Sequence, residues 1–244
     1  MSSAGDQLNF PAVLDAVRIL SPLSTSPDHG EEHWRRVATN GLDLAGAAGA
    51  DPLLVVLFGI FHDSMRFSED FDPDHGKRGG FLACCLNSEL IGLEENRLDL
   101  LYKACAEHSD GDTSEDRTIG VCWDADRLDL CRFGKEIFPG SMSTQAGRTT
   151  PARRRAMGLL TAAPDWPSIF WRLNDAIHGI VPVEPDRREP VMAEAQHAPS
   201  GRRAHPEPAA TDRYWTATLV EAAPPAAADE DGPTGATSAG GPAA

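Results

Sequence analysis

Apolar residues recur three and four positions apart through most of the chain, from about residue 8 to about residue 180. This spacing is that of an α-helix with one buried face, and no long alternating pattern typical of strands competes with it, so we expect an all-α fold. A first helix is predicted at residues 10–20, and the following segment, residues 21–27, is rich in Ser and Pro and ends it. Asp28 offers an N-cap oxygen for a second helix, which carries His33.

The most apolar stretch of the chain follows Asp51-Pro52, a pair typical of a helix start. Residues 53–61 are apolar nearly all round, which predicts a helix buried on most sides. This helix ends in His62-Asp63, so two polar side chains are delivered to the protein interior. Burying a neutral polar group without a partner costs on the order of 2–7 kcal/mol, and a carboxylate costs far more. A bound metal ion would cancel that cost.

Helices and loops alternate through the rest of the pattern, with histidines at the junctions. An acidic, irregular loop is predicted at residues 64–74, and His75 follows it in a Gly-rich segment. His108 comes at the end of a later helix, before a turn-like Ser-Asp-Gly-Asp sequence. The remaining helices are predicted at residues 81–91, 94–107, 118–133 and 167–180, with a loop that runs through Pro151.

The length and composition fit one helical domain with a low-complexity tail. The chain has 244 residues, and we assign residues 1–182 to the helical domain. Residues 183–244 are rich in Pro, Ala, Gly, Asp and Glu, which predicts a disordered tail. No apolar run reaches the roughly 18 residues of a membrane span, and the N-terminus lacks the pattern of a secretory signal. We therefore expect a cytoplasmic protein without membrane association.

The charge and the cysteines exclude several classes of function. A formal net charge of -15 repels the phosphate backbone, which argues against binding of bulk nucleic acid, whereas a small anionic substrate needs only a local group of basic side chains. The five cysteines form no Cys-x-x-Cys pair, so we interpret them as buried apolar residues rather than metal or redox groups.

Histidine and carboxylate side chains are the remaining candidates for chemistry. These residue types suit Zn, Mn, Fe, Co or Ni ions. In chain order they are His33, His62, Asp63, His75, His108, Asp124, Asp126 and Asp129.

Three short motifs in this order resemble the HD-domain metal-dependent phosphohydrolases, a family defined by the ordered pattern His, His-Asp, Asp on separate helices. The motifs are His33-Trp34-Arg35-Arg36-Val37, Phe61-His62-Asp63-Ser64 and Ala125-Asp126-Arg127-Leu128. The resemblance covers roughly residues 28–135. It implies an HD-type helical bundle in which His33, His62, Asp63 and Asp126 bind a divalent metal ion.

Several assignments stay open at this point. Helical periodicity favours Asp124 as readily as Asp126 for the last ligand, and the resemblance decides for Asp126. His29 lies four residues before His33 and could share its helix face, but its Pro-Asp-His-Gly context favours a turn or cap. His75 and His108 lie outside the four-ligand pattern, and in related proteins such histidines bind a second metal or contact the scissile phosphate.

The resemblance implies hydrolysis of a nucleotide or another small phosphate ester by a metal-activated hydroxide. Arg66, Lys77 and Arg78 are the candidates for binding the phosphate oxygens. His75 or His108 would protonate the leaving oxygen.

Two other functions compete with hydrolysis. Some relatives with six ligands of this kind hold two irons and cleave C–C or C–P bonds with O₂, and this chain offers four histidines and two carboxylates. The other alternative is a non-catalytic nucleotide-binding module, in which the site binds a nucleotide without turnover.

Overall fold

The computed structural model describes residues 8–178, and this part of the chain consists of eight α-helices joined by loops, with no strand. The predicted all-α class is confirmed. The tail predicted at residues 183–244 lies outside the described residues. None of the described helices combines the length and apolar character needed to cross a membrane. The helices are α1 (Phe10–Leu20), α2 (Glu31–Ala48), α3 (Pro52–Phe61), α4 (His75–Leu86), α5 (Glu95–Glu107), α6 (Arg117–Asp129), α7 (Thr150–Ala162) and α8 (Trp166–His178).

Helices α2 and α3 form the centre of the fold and cross at close range. A Cβ atom at Gly59 would lie 2.9 Å from the Cβ of Ala38, and one at Gly41 would lie 2.1 Å from Cγ1 of Val55. Asp51 caps α3 as predicted, because its carboxylate accepts hydrogen bonds from the backbone N–H groups of the first turn. All residues of α3 from Leu54 onward are buried, so the helix delivers its C-terminal end to the interior.

Helix α4 begins at His75, whereas the sequence predicted a Gly-rich loop there and a helix from residue 81. The glycines serve close packing rather than a turn. A Cβ atom at Gly76 would lie 2.2 Å from the carbonyl oxygen of Cys105, and one at Gly79 would lie 2.1 Å from the carbonyl oxygen of Phe61. Only residues without a side chain allow α4 to pack this closely on α3 and α5, and that packing brings the first residue of α4 inward.

Two other features differ from the prediction, the start of α2 and the presence of α7. Helix α2 begins at Glu31 with Gly30 in the N-cap position, so Asp28 does not cap it. Helix α7 was not predicted. The Thr149 side chain caps it, but within the helix only Ala152 and Ala156 are buried, and such a short apolar stripe gives little periodic signal.

Candidate metal centre

Three helices bring together the four residues that the resemblance named as ligands. His33 lies in the first turn of α2, His62 and Asp63 directly follow α3, and Asp126 lies on α6. The Nε2 atom of His33 is 3.0 Å from Nε2 of His62 and 3.4 Å from Oδ1 of Asp126. It is also 3.5 Å from Oδ2 of Asp63. We call these four side chains the first donor set.

A second donor set shares Asp63 with the first. The Oδ1 atom of Asp63 is 3.1 Å from Nε2 of His75 and 3.6 Å from Nε2 of His108. The two imidazole nitrogens are 3.0 Å apart. Both histidines are buried. Asp63 therefore directs one carboxylate oxygen to each donor set.

Hydrogen bonds assign the tautomers of the two histidines in the first donor set. The Nδ1 atom of His33 is 2.7 Å from Oδ2 of Asp129, and Nδ1 of His62 is 3.0 Å from the carbonyl oxygen of Phe58. Because both oxygens only accept, each Nδ1 carries a hydrogen, and each ring directs its Nε2 atom to the centre. The two Nε2 atoms thus face each other across 3.0 Å, beside two carboxylates.

At neutral pH the Nε2 atom of His62 carries no hydrogen. Burial lowers the pKa of His62 to about 3, so its ring is neutral. Burial by itself would raise the pKa of Asp63, but hydrogen bonds from the imidazoles of His108, His29 and His75 hold that pKa well below its usual value. His62 therefore contributes no Nε2 hydrogen to the first donor set, and its buried members His33, His62 and Asp63 could hold a metal ion.

The two carboxylates that the sequence left as alternatives have separate roles. Asp126 faces the first donor set. Asp124 is turned to the opposite side, where it accepts hydrogen bonds from the backbone N–H groups of Ser143 (2.6 Å) and Thr144 (2.8 Å) and from the Thr144 hydroxyl. Asp124 therefore anchors the loop before α7.

Of the three basic residues proposed to bind phosphate, the structure brings one to the centre. The Nη1 atom of Arg66 lies 3.0 Å from Nε2 of His75 and 3.4 Å from Oδ1 of Asp63. Lys77 is exposed and pairs with Asp74 next to it. Arg78 binds both carboxylate oxygens of Asp72 and stacks on Phe67, so it stabilises the loop before α4.

The structure adds two residues that the sequence reasoning did not place at the centre. The Nδ1 atom of His29, interpreted from sequence as a turn or capping residue, is 2.8 Å from Oδ2 of Asp63. Its spacing of four residues from His33 was the available signal. Asp129 orients His33 and also accepts a 2.7 Å hydrogen bond from Nε of Arg36. A carboxylate behind a histidine is a common arrangement around bound metals.

The resemblance to HD-domain phosphohydrolases rests on the three motifs, and the geometry brings their histidines and aspartates together. No family model matches the chain, and neither a curated protein nor a solved structure matches it.

Proposed function

We propose that this chain is a metal-dependent phosphohydrolase that acts on a nucleotide or another small phosphate ester, with a divalent ion at His33, His62, Asp63 and Asp126. The observation that carries the proposal is the 3.0 Å approach of the His33 and His62 Nε2 atoms beside the carboxylates of Asp63 and Asp126. A bound divalent ion supplies Lewis acidity toward a phosphoryl oxygen and acidifies a water to a pKa of about 7.

The chain's own residues supply the other functions that hydrolysis needs. Arg66 places a guanidinium beside Asp63, where its charge would stabilise the oxygens of a phosphoryl group. His75 and His108 lie beside Oδ1 of Asp63, the oxygen that faces away from the first donor set. We propose His108 for protonation of the leaving oxygen, because Nε2 of His75 accepts a hydrogen bond from Arg66. Asp129 holds the His33 ring in the orientation that directs Nε2 to the centre.

The test uses the full chain, stripped of metal and reconstituted separately with Mn²⁺, Co²⁺, Ni²⁺, Zn²⁺ or Fe²⁺. Each form is assayed for phosphate release from nucleotides and for cleavage of a chromogenic phosphodiester. Asp63→Ala removes the shared carboxylate, and Asp99→Ala is the matched control, because Asp99 is an exposed residue of α5.

We expect hydrolysis with at least one metal, equal activity in Asp99→Ala, and a loss of more than about 100-fold in Asp63→Ala with helicity retained. The basis is that changes to outer-shell residues alone cost about 10–100-fold. Unchanged activity in Asp63→Ala, or no hydrolysis with any metal, would contradict the proposal. Nucleotide binding without turnover in every metal would instead support a non-catalytic nucleotide-binding module.

A di-iron oxygenase is the second candidate, and the two adjoining donor sets favour it. Together they present four histidines and the carboxylates of Asp63 and Asp126, with Asp63 between the two sets. Two irons per chain with O₂ consumption would support oxygenation, whereas one ion per chain with phosphate release would support hydrolysis.

A further inference from the structure

The positively charged guanidinium of Arg66 contacts two members of the second donor set. Its Nη1 atom donates to Nε2 of His75 over 3.0 Å and lies 3.4 Å from Oδ1 of Asp63. A guanidinium has only hydrogen-bond donors, so it complements a group of acceptors in the way a metal ion does. Two of the three side chains of the second donor set already have a cationic partner.

The loop before α4 holds this guanidinium in place. Nε of Arg66 donates to the carbonyl oxygen of Ser68 (3.1 Å), and Nη2 donates to that of Asp70 (3.0 Å). The loop is in turn braced by Asp72, which binds Arg78 and accepts a hydrogen bond from the backbone N–H of Phe67. Only 11% of the Arg66 side chain is exposed. The hydrogen bonds of the loop therefore fix the position of the Arg66 guanidinium.

A metal ion in the second donor set would compete with Arg66 for the lone pair on Nε2 of His75. The His75 Nε2 lone pair serves either an N–H donor or a metal at about 2.0–2.1 Å. An ion at that distance would also stand close to a like charge in a buried site, where repulsion is strong. The first donor set differs, because no Lys or Arg among residues 8–178 forms an ion pair with Asp126, whereas Arg66 pairs with Asp63 on the side of the second set.

We propose that Arg66 takes the place of a second metal, so that the chain binds one divalent ion, in the first donor set, beside a fixed guanidinium. This inference rests on the metal centre of the proposed function. A metal and a guanidinium on either side of Asp63 provide two positively charged groups toward a phosphoryl group, an arrangement that two-metal phosphatases reach with two ions. One ion per chain is also incompatible with di-iron chemistry.

The test counts tightly bound Mn²⁺ in the metal-free full chain by equilibrium dialysis, with electron paramagnetic resonance to distinguish isolated ions from coupled pairs. The variants are Arg66→Met and Arg66→Gln, which remove the charge and keep much of the side-chain length. Lys77→Met is the matched control, since it removes one positive charge that does not reach either donor set. Arg66→Met combined with His75→Ala locates any additional ion.

We expect one isolated Mn²⁺ in the wild-type chain and in Lys77→Met, two coupled ions in both Arg66 variants, and one ion again in the double variant. Two ions in the wild-type chain would overturn the inference without need of any variant, and so would a single ion in both folded Arg66 variants. Absence of Mn²⁺ binding in every form would overturn the metal centre itself. One bound ion with no hydrolysis of any substrate would refute the phosphohydrolase and leave the role of Arg66 standing.

Discussion

The Asp129→Asn substitution tests whether the centre depends on the carboxylate behind His33. Asp129 is fully buried and accepts hydrogen bonds from Nδ1 of His33 (2.7 Å), Nε of Arg36 (2.7 Å) and Nη1 of Arg132 (3.3 Å). The substitution removes the negative charge and leaves the buried Arg36 without its anion. Breaking a buried ion pair from one side costs about 3–5 kcal/mol. We expect the free energy of unfolding to fall by that amount.

Metal binding should weaken in the same variant. The asparagine keeps one acceptor oxygen and presents an NH₂ donor in place of the other, so it cannot accept from both His33 Nδ1 and Arg36 Nε as Asp129 does. It also lacks the negative charge that keeps the hydrogen on Nδ1 of His33. Loss of such a partner lowers metal affinity by about 10–100-fold. Metal affinity is measured by competition with a chelator of known strength, and stability by urea unfolding followed by circular dichroism.

Asp43→Asn is the matched control, because Asp43 also pairs with two arginines, Arg155 and Arg172, but near the surface. Surface ion pairs contribute about 0–1 kcal/mol, so this variant should unfold almost like the wild-type chain and bind metal unchanged. If Asp129→Asn is no less stable than Asp43→Asn and keeps wild-type metal affinity, the assigned role of Asp129 is wrong.

Three further predictions concern packing, pH and metal. Gly79→Ala should destabilise the chain by about 1–3 kcal/mol, because its methyl group would meet the carbonyl oxygen of Phe61 at 2.1 Å. Gly158→Ala, in the open part of α7, should instead stabilise the chain by about 0.5–1 kcal/mol. Similar urea unfolding of the two variants would contradict the packing argument. The folded His62 takes up a proton only near pH 3 and the unfolded one near its ordinary value of 6.5, so its contribution to stability is complete above pH 6.5 and is lost as the pH falls below it. Unfolding of the metal-free chain between pH 6.5 and 5 should therefore show a pH dependence that His62→Gln reduces by about 1.4 kcal/mol per pH unit, and an identical slope in both proteins would refute a neutral His62. A divalent ion at 100 times its dissociation constant should stabilise the wild-type chain by about 2.7 kcal/mol and Asp63→Ala by far less, as measured by thermal unfolding; equal stabilisation would place the ion elsewhere.

Local sequence determined the helices with strong periodic patterns and the order of the candidate ligands. α1 coincides with its prediction, and α3 begins after the Asp51 cap as expected. The position of His62-Asp63 at the end of the most apolar helix already indicated a buried polar pair. These features follow from neighbours in the chain, because apolar spacing and caps act within a few residues.

Tertiary packing alone decided which polar groups meet at the centre. Asp124 and Asp126 lie two residues apart on α6, and only the helices and loops packed against each side show that Asp126 faces the histidines. The same holds for Arg66 against Lys77, since the fold of the acidic loop aims one cation at the donor sets and leaves the other on the surface. His75 reaches the second donor set because Gly76 and Gly79 let α4 approach α3 and α5. Contacts between distant segments carry no local pattern, so a single sequence names these candidates and the three-dimensional packing selects among them.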